Sequence, residues 1–212
     1  MSSKESFGSA KINKGAIIAI KSDRRGRLTI DPKTPPLIFQ YNPEKLTRIF
    51  CNPDSETSTE RVQGDNSVIQ LIHTVLEFDD CDELAQKSDL SEENGLHPVL
   101  ATLEKIIEAD SQKQVIIFSW GTNRTLPVKI VDTRIVEEAF DSKLNPIRVR
   151  IELTMKVKNP KDLGKESAGH SIYMQHLNKR DTFAQLYNNK INKKNIEGFQ
   201  KGVTRKARSE KL

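Results

Sequence analysis

Cysteine is nearly absent from this 212-residue chain: Cys51 and Cys81 are the only two, and neither belongs to a C-x-x-C pair. That excludes a disulfide framework and disfavours zinc or thioredoxin-type chemistry, so two reduced, unreactive thiols are expected. No apolar run approaches the roughly 18 residues a membrane helix needs, so no membrane span is expected. Residues 1–9 are Ser-rich and lack an apolar stretch followed by a small-residue cleavage site. No secretory signal is read there, and the expected location is cytoplasmic on synthesis and assembly.

Catalytic signatures are missing as well. His73, His97, His170 and His176 lie far apart, with no H-E-x-x-H or H-x-H spacing among them. No G-x-S-x-G elbow and no glycine-rich phosphate loop occurs. The acidic residues Asp79, Asp80, Asp82, Glu83, Asp89, Glu92 and Glu93 lack the central glycine and the terminal glutamate of a calcium loop. A solvated acidic loop is the simpler reading. We therefore expect no catalytic residue, no metal and no cofactor: a protein that is not an enzyme.

What is present is enough apolar material for a core, 35% of residues, beside 30% charged ones. The charge is uneven. Residues 1–34 carry +5 and residues 189–212 carry +6 against a total of +5, leaving −6 for residues 35–188. Basic ends on an acidic body suggest solvated tails, or arms that dock on an acidic neighbour, more than a nucleic-acid surface.

Alternation of apolar and polar residues marks the strands. From Ile72, the residues Ile72, Thr74, Leu76 and Phe78 point one way while His73, Glu77 and Asp79 point the other. The clearest pattern is 147–157, where Ile147, Val149, Ile151, Leu153, Met155 and Val157 alternate with charged or polar residues. Such a strand runs about 35 Å and buries one face. Shorter strands are expected at 16–20, 37–41, 46–50, 115–120 and 128–131, with 135–140 extending the last or starting another. Leu96, Val99, Leu100, Leu103, Ile106 and Ile107 recur at helical spacing, with Pro98 in the first turn. Turns are read at Asn42-Pro43, Gly121–Arg124 and Asn145-Pro146, and long polar loops at 52–66 and 79–94. The expected organisation is a flexible lead at 1–12, one domain at 13–160, and then linker 161–170, amphipathic helix 171–188 and a basic tail. Trp120, closing a strand, reads as a core or interface anchor.

Five of these pieces occur in a telling order: Phe39-Gln40-Tyr41-Asn42-Pro43-Glu44; Leu76-Glu77-Phe78-Asp79; Gly95-Leu96-His97-Pro98 opening the helix; 115–118 leading into Trp120-Gly121; and Asn145-Pro146-Ile147-Arg148-Val149 opening the long strand. Together, over about residues 12–158, they resemble the tube-type baseplate proteins of contractile injection systems and related phage-tail-like particles. The helix at 171–188 is also similar to a segment of that family. The resemblance implies a mainly β, α+β chain with a β-barrel-like tube-protein fold and one flanking helix. It implies a structural protein forming a homohexamer ring, a tube initiator linking the spike to the inner tube. The implied partners are further copies of the chain, the spike or hub protein, the inner tube protein and neighbouring baseplate proteins. The implied motif or interface residues are Phe39, Tyr41, Asn42, Pro43, Phe78, Trp120, Gly121 and Pro146. Many relatives continue into a LysM module. No complete one is read here, although Arg180-Asp181-Thr182-Phe183 is faintly similar to its start.

The alternative is a nucleic-acid-binding barrel of OB type whose basic arms track phosphates. It calls for aromatics beside Lys or Arg on an exposed sheet face, and only 6% of residues are aromatic. A hydrolase with an unrecognised site is the third option.

Overall fold

A computed structural model describes residues 13–22, 28–51, 68–81, 94–165 and 167–190. The 1–12 lead, the loop 52–66, most of the acidic segment after Asp79 and the tail beyond Lys190 lie outside the described residues. Contacts divide the chain into two units, residues 1–173 and 174–212. In chain order the elements are β1 (Ala16–Ser22), β2 (Leu28–Ile30), β3 (Leu37–Ile38), β4 (Leu46–Cys51), β5 (Ile69–Asp79) and α1 (His97–Ser111). They continue with β6 (Val115–Trp120), β7 (Arg124–Phe140), β8 (Pro146–Val157) and α2 (Ala168–Lys190).

The chain is mainly β. Its strands form one open, antiparallel, eight-stranded sheet in the order β2-β1-β6-β7-β8-β5-β4, with β3 also paired to β1. Alternation in the sequence becomes burial in the sheet. Val149, Ile151, Leu153, Met155 and Val157 of β8 are buried, as are Ile72, Thr74, Leu76 and Phe78 of β5. Registers Phe78↔Val149 and Leu76↔Ile151 stack these side chains into one face. Burying each large aliphatic or aromatic side chain contributes roughly 1.5–3 kcal/mol, so this face dominates the stability of the unit.

α1 packs against the β1, β3, β6 and β7 part of the sheet; its Leu100, Leu103, Ile106 and Ala109 are buried, while Val99 and Ile107 flank the core. The helix continues to Ser111, one turn past the apolar stripe, because its last turn has a structural task. Asp110 there accepts a hydrogen bond from the Ile130 backbone N–H at 2.9 Å and pairs with Lys158 at 3.4 Å. Ile130 sits where the β7–β8 register shifts, so the carboxylate satisfies a donor at the bulge.

Three further boundaries differ from the sequence reading. β3 is only two residues long, because Phe39 and Gln40 leave the ladder for the contacts described below. Residues 135–140 extend β7 into a 17-residue strand rather than starting another. Pro127 lies inside that strand; it has no N–H to donate, and the β7–β8 ladder begins one residue on, at Val128↔Val157. The 161–170 segment is not simply a polar linker: Leu163 is buried, and α2 begins at Ala168. A Cβ on Gly169 would lie 2.8 Å from Leu163 Cδ2, so a larger residue there requires the leucine side chain to shift.

Candidate functional site

The segment after β3 ties distant parts of the sheet together. The Phe39 backbone N–H donates to the Gly15 carbonyl at 2.9 Å, and the Phe39 ring meets Phe118 and Trp120 with centroids 6.4 Å away in each case. Trp120 is half-buried and stacks on Phe118. A Cβ at Gly15 would sit 2.5 Å from the Phe39 ring, so the ring packs where only glycine leaves room. Asn42 clamps the same strand start: its Oδ1 accepts from the Gly15 N–H, and its Nδ2 donates to the Asn13 carbonyl, both at 2.8 Å. Lys14 donates to the Gln40 carbonyl.

Gln40 itself reaches the other side of the sheet. Its amide donates to the Asp79 carbonyl and accepts from the Asp79 N–H, both at 2.7 Å, imitating a strand neighbour at the end of β5. β1 and β5 stand four strand positions apart, about 19 Å in a flat sheet. One dipeptide bonds to both, so the sheet curls toward itself.

Asp79 continues the chain of contacts through Arg148 of β8, whose Nη2 lies 2.9 Å from its carboxylate. That ion pair raises the Arg148 guanidinium above its ordinary value. The Asp80 N–H donates to the Ile147 carbonyl, and the Leu96 N–H to the Pro146 carbonyl, each at 2.8 Å. Gly95, at φ +53°, packs so closely on Pro146 that a Cβ there would lie 2.6 Å from the Pro146 oxygen.

Two hollows open beside this junction. The larger, about 870 Å³, is lined by Lys14, Tyr41, Pro43, Lys45, His73 and Arg150, among others. The smaller, about 380 Å³, shares Tyr41, Glu77 and Arg150 with it and adds Phe78, Glu138 and Arg148. The motif residues thus divide by role. Phe39 and Trp120 pack, Asn42 clamps, and Pro146 is buried as an acceptor. Tyr41 and Pro43 line the hollows, with Phe78 behind them. Gly121, at φ +62°, makes the β6–β7 turn and has open space where a Cβ would stand. Sequence reasoning named neither Gln40 nor Arg148 as a site residue, although both lie inside the quoted motifs; their roles depend on partners tens of residues away.

The β4 strand is an edge with no neighbour among the described residues on its outer side. It exposes Phe50 at 57%, with Arg48 5.5 Å above the ring. Burial lowers the Arg124 guanidinium from its ordinary value, and the nearby Arg48 charge adds to this. The described residues through 165 hold 17 Lys and Arg against 14 Asp and Glu, a net of +3. The acidic surplus of the central sequence therefore falls outside them.

Among the described residues, no group of three or more His, Cys, Asp or Glu is placed to hold a metal. His73 is bonded at 3.1 Å to Thr154, across to the neighbouring strand. Cys51 and Cys81 are both free thiols. No described helix is long and apolar enough to cross a membrane. Compared with models of known protein families and with curated proteins, the chain matches none.

Proposed function

We propose that this chain is a structural subunit of a contractile injection system, forming a ring at the base of the inner tube that adapts the spike to the tube. The observation that carries this reading is the junction itself. The five sequence pieces that resemble tube-type baseplate proteins lie between residues 39 and 149, yet they are bonded or packed to one another at the place where the sheet bends. Pieces alike by chance have no reason to meet. The curl they impose is what a barrel-like tube domain needs.

Among the described residues, unpaired strand edges support assembly, and two of them are long. One is β4; the other is the far part of β7, past the last β6 pair at Ile116↔Val128. Unpaired N–H and C=O groups template pairing with another chain. Six copies joined in this way make the ring that the resemblance implies. The test is electron microscopy of the full chain, alone and with spike and inner-tube proteins. Closed rings of defined symmetry are expected; a strict monomer that joins no particle sinks the proposal.

One observation favours the nucleic-acid reading: exposed Phe50 beside Arg48 is the aromatic-plus-cation arrangement that reading calls for. A salt titration with single- and double-stranded oligonucleotides separates the two. Weak binding that vanishes at physiological salt fits the ring subunit. Tight binding lost in Phe50→Ala fits the alternative.

A further inference from the structure

Among the described residues, Arg134, Arg148, Arg150 and Arg180 each lie within 3.9 Å of a carboxylate. Arg48 and Arg124 have no such partner there, and both stand on the buried face of the sheet. Arg48 is opposite the buried Ile72 in the β4–β5 register, and its guanidinium sits over the Phe50 ring. Arg124 is opposite Trp120, on the face that Leu126 shares with Phe118. The two cations are near neighbours: burial lowers the Arg124 guanidinium from its ordinary value, and the Arg48 charge lowers it further. Like charges held together repel, and an anion between them removes that cost. A third donor faces the same way. Gln70 is opposite Phe50 and so a diagonal neighbour of Arg48. Its Nε2 is buried with no hydrogen-bond partner among the described residues, a costly state for an amide donor.

We propose that Arg48, Arg124 and Gln70 form a site for a phosphate dianion, either free or as the terminal phosphate of a small molecule. The site does not depend on the ring reading above. Charge decides the class of ligand. Two guanidinium groups bring two positive charges, and a phosphate monoester carries about −1.5 to −2 at neutral pH. A carboxylate matches only one of the two cations, and so does each phosphodiester of a nucleic-acid strand. The planar forks of arginine also suit phosphate oxygens, which accept parallel N–H bonds from each guanidinium. Gln70 adds a neutral donor from the buried side. Arg48 and Phe50 are exposed on the edge strand, so a ligand reaches the cluster from solvent there.

The test uses the full chain at constant ionic strength. Inorganic phosphate and a nucleoside 5′-monophosphate are titrated by calorimetry and by thermal melting, with chloride and acetate as controls. Phosphate is expected to bind one to one and to raise the melting temperature, and the controls to do neither. Affinity for the monophosphate should fall roughly tenfold between about pH 7.5 and about pH 5, as its second proton is taken up, while that for sulfate holds level. Arg48→Gln and Arg124→Gln are each expected to weaken binding at least tenfold. The melting temperature of the free variants should stay level or rise, because one of two like charges is gone, which separates a lost site from a lost fold. Gln70→Met keeps the bulk, removes the donor and should give a smaller loss. A wild type that binds phosphate no better than chloride overturns the site. Equal binding of acetate and phosphate overturns the dianion assignment, and binding that survives both arginine substitutions overturns its placement. Tighter binding of the nucleotide than of inorganic phosphate assigns a terminal phosphate, equal binding a free one, and either result upholds the site.

Discussion

The two halves of β7 belong to one strand, yet they live in different environments. Leu126, Pro127 and Val128 lie buried between β6 and β8, over the aromatic cluster and α1. From the register shift at Ile130/Asp132 onward, β8 still pairs with the strand, but β6 has ended and the residues from Glu137 to Phe140 are exposed. A complete ladder therefore does not imply a buried strand. The near half is held by packing. The far half is held by its hydrogen bonds to β8 and by cross-strand charges such as Arg134 with Glu152. Stability concentrates at one end of the hairpin and leaves the other free to meet a neighbour.

The largest effect expected from this contrast is at Ile151, which is fully buried in the middle of β8. Ile151→Asp places an unpaired charge in the core and is expected to cost about 4 kcal/mol or more. The adjacent Arg150 faces solvent and the hollows. Arg150→Ala should change stability by no more than about 0.5 kcal/mol, with any defect appearing in assembly. Thermal melts of the pair decide the matter, and equal losses would mean that the faces are reversed.

The faces were legible in the sequence because β5 and β8 are each buried on one side along most of their length, which writes period-two alternation into the chain. α1 was legible for the same reason at period 3.6. β7 was harder to read because only its first half is buried; Asp132, Arg134, Glu137 and Glu138 break the apolar signal, and Pro127 argues against a strand. In α2 the helix forms, but its apolar residues make no strong stripe, and Phe183, Leu186 and Tyr187 are exposed. Periodicity reports what a helix can bury, not what it does bury. At the junction, the motif residues were visible as types, but the Gln40 bond to Asp79 spans 39 residues, and no local pattern announces it. Asp110 at the bulge and Asp141 at the tip of the β7–β8 hairpin were missed for the same reason, since each carboxylate answers backbone donors that only the folded chain brings within reach.

A middle-sized effect sharpens the comparison within β7. Leu126→Ala in the buried half is expected to cost about 3 kcal/mol, the loss of a core leucine plus the cavity it leaves. Ile135→Ala in the far half removes a side chain that is only partly buried, and about 1 kcal/mol is expected. Urea unfolding of both variants measures the difference through the midpoint at constant slope. A loss at Ile135 as large as that at Leu126 would show the far half to be as well packed as the near one.

The smallest effect concerns acid, and it sets a carboxylate of the buried region against one at the tip. Asp31 is buried and bonded to Lys21 at 2.8 Å, which with the Lys33 N–H holds its carboxyl below the usual carboxylate range against the opposing effect of burial. At the tip, the backbone N–H of Asn145 holds Asp141 below that range, again against burial. In both cases the folded chain favours the ionised form, so the unfolded chain takes up the proton first as pH falls. The stabilisation is complete above the ordinary carboxylate value of about 4 and is lost as pH drops through the lower, folded-state value. Melting temperature should therefore hold level from about pH 7 to about pH 5 and decline below about pH 4. Asp31→Asn should lower the melting temperature at neutral pH and flatten that decline, because Asp31 joins β1 to the 31–34 turn through Lys21 and Thr34. Asp141→Asn should lower the melting temperature less than Asp31→Asn does and quicken amide hydrogen exchange chiefly over residues 141–145, since the tip carries little of the fold. If Asp141→Asn flattens the acid limb and Asp31→Asn does not, the tip rather than the buried region governs cooperative unfolding, and the contrast between packed and exposed parts of the sheet fails.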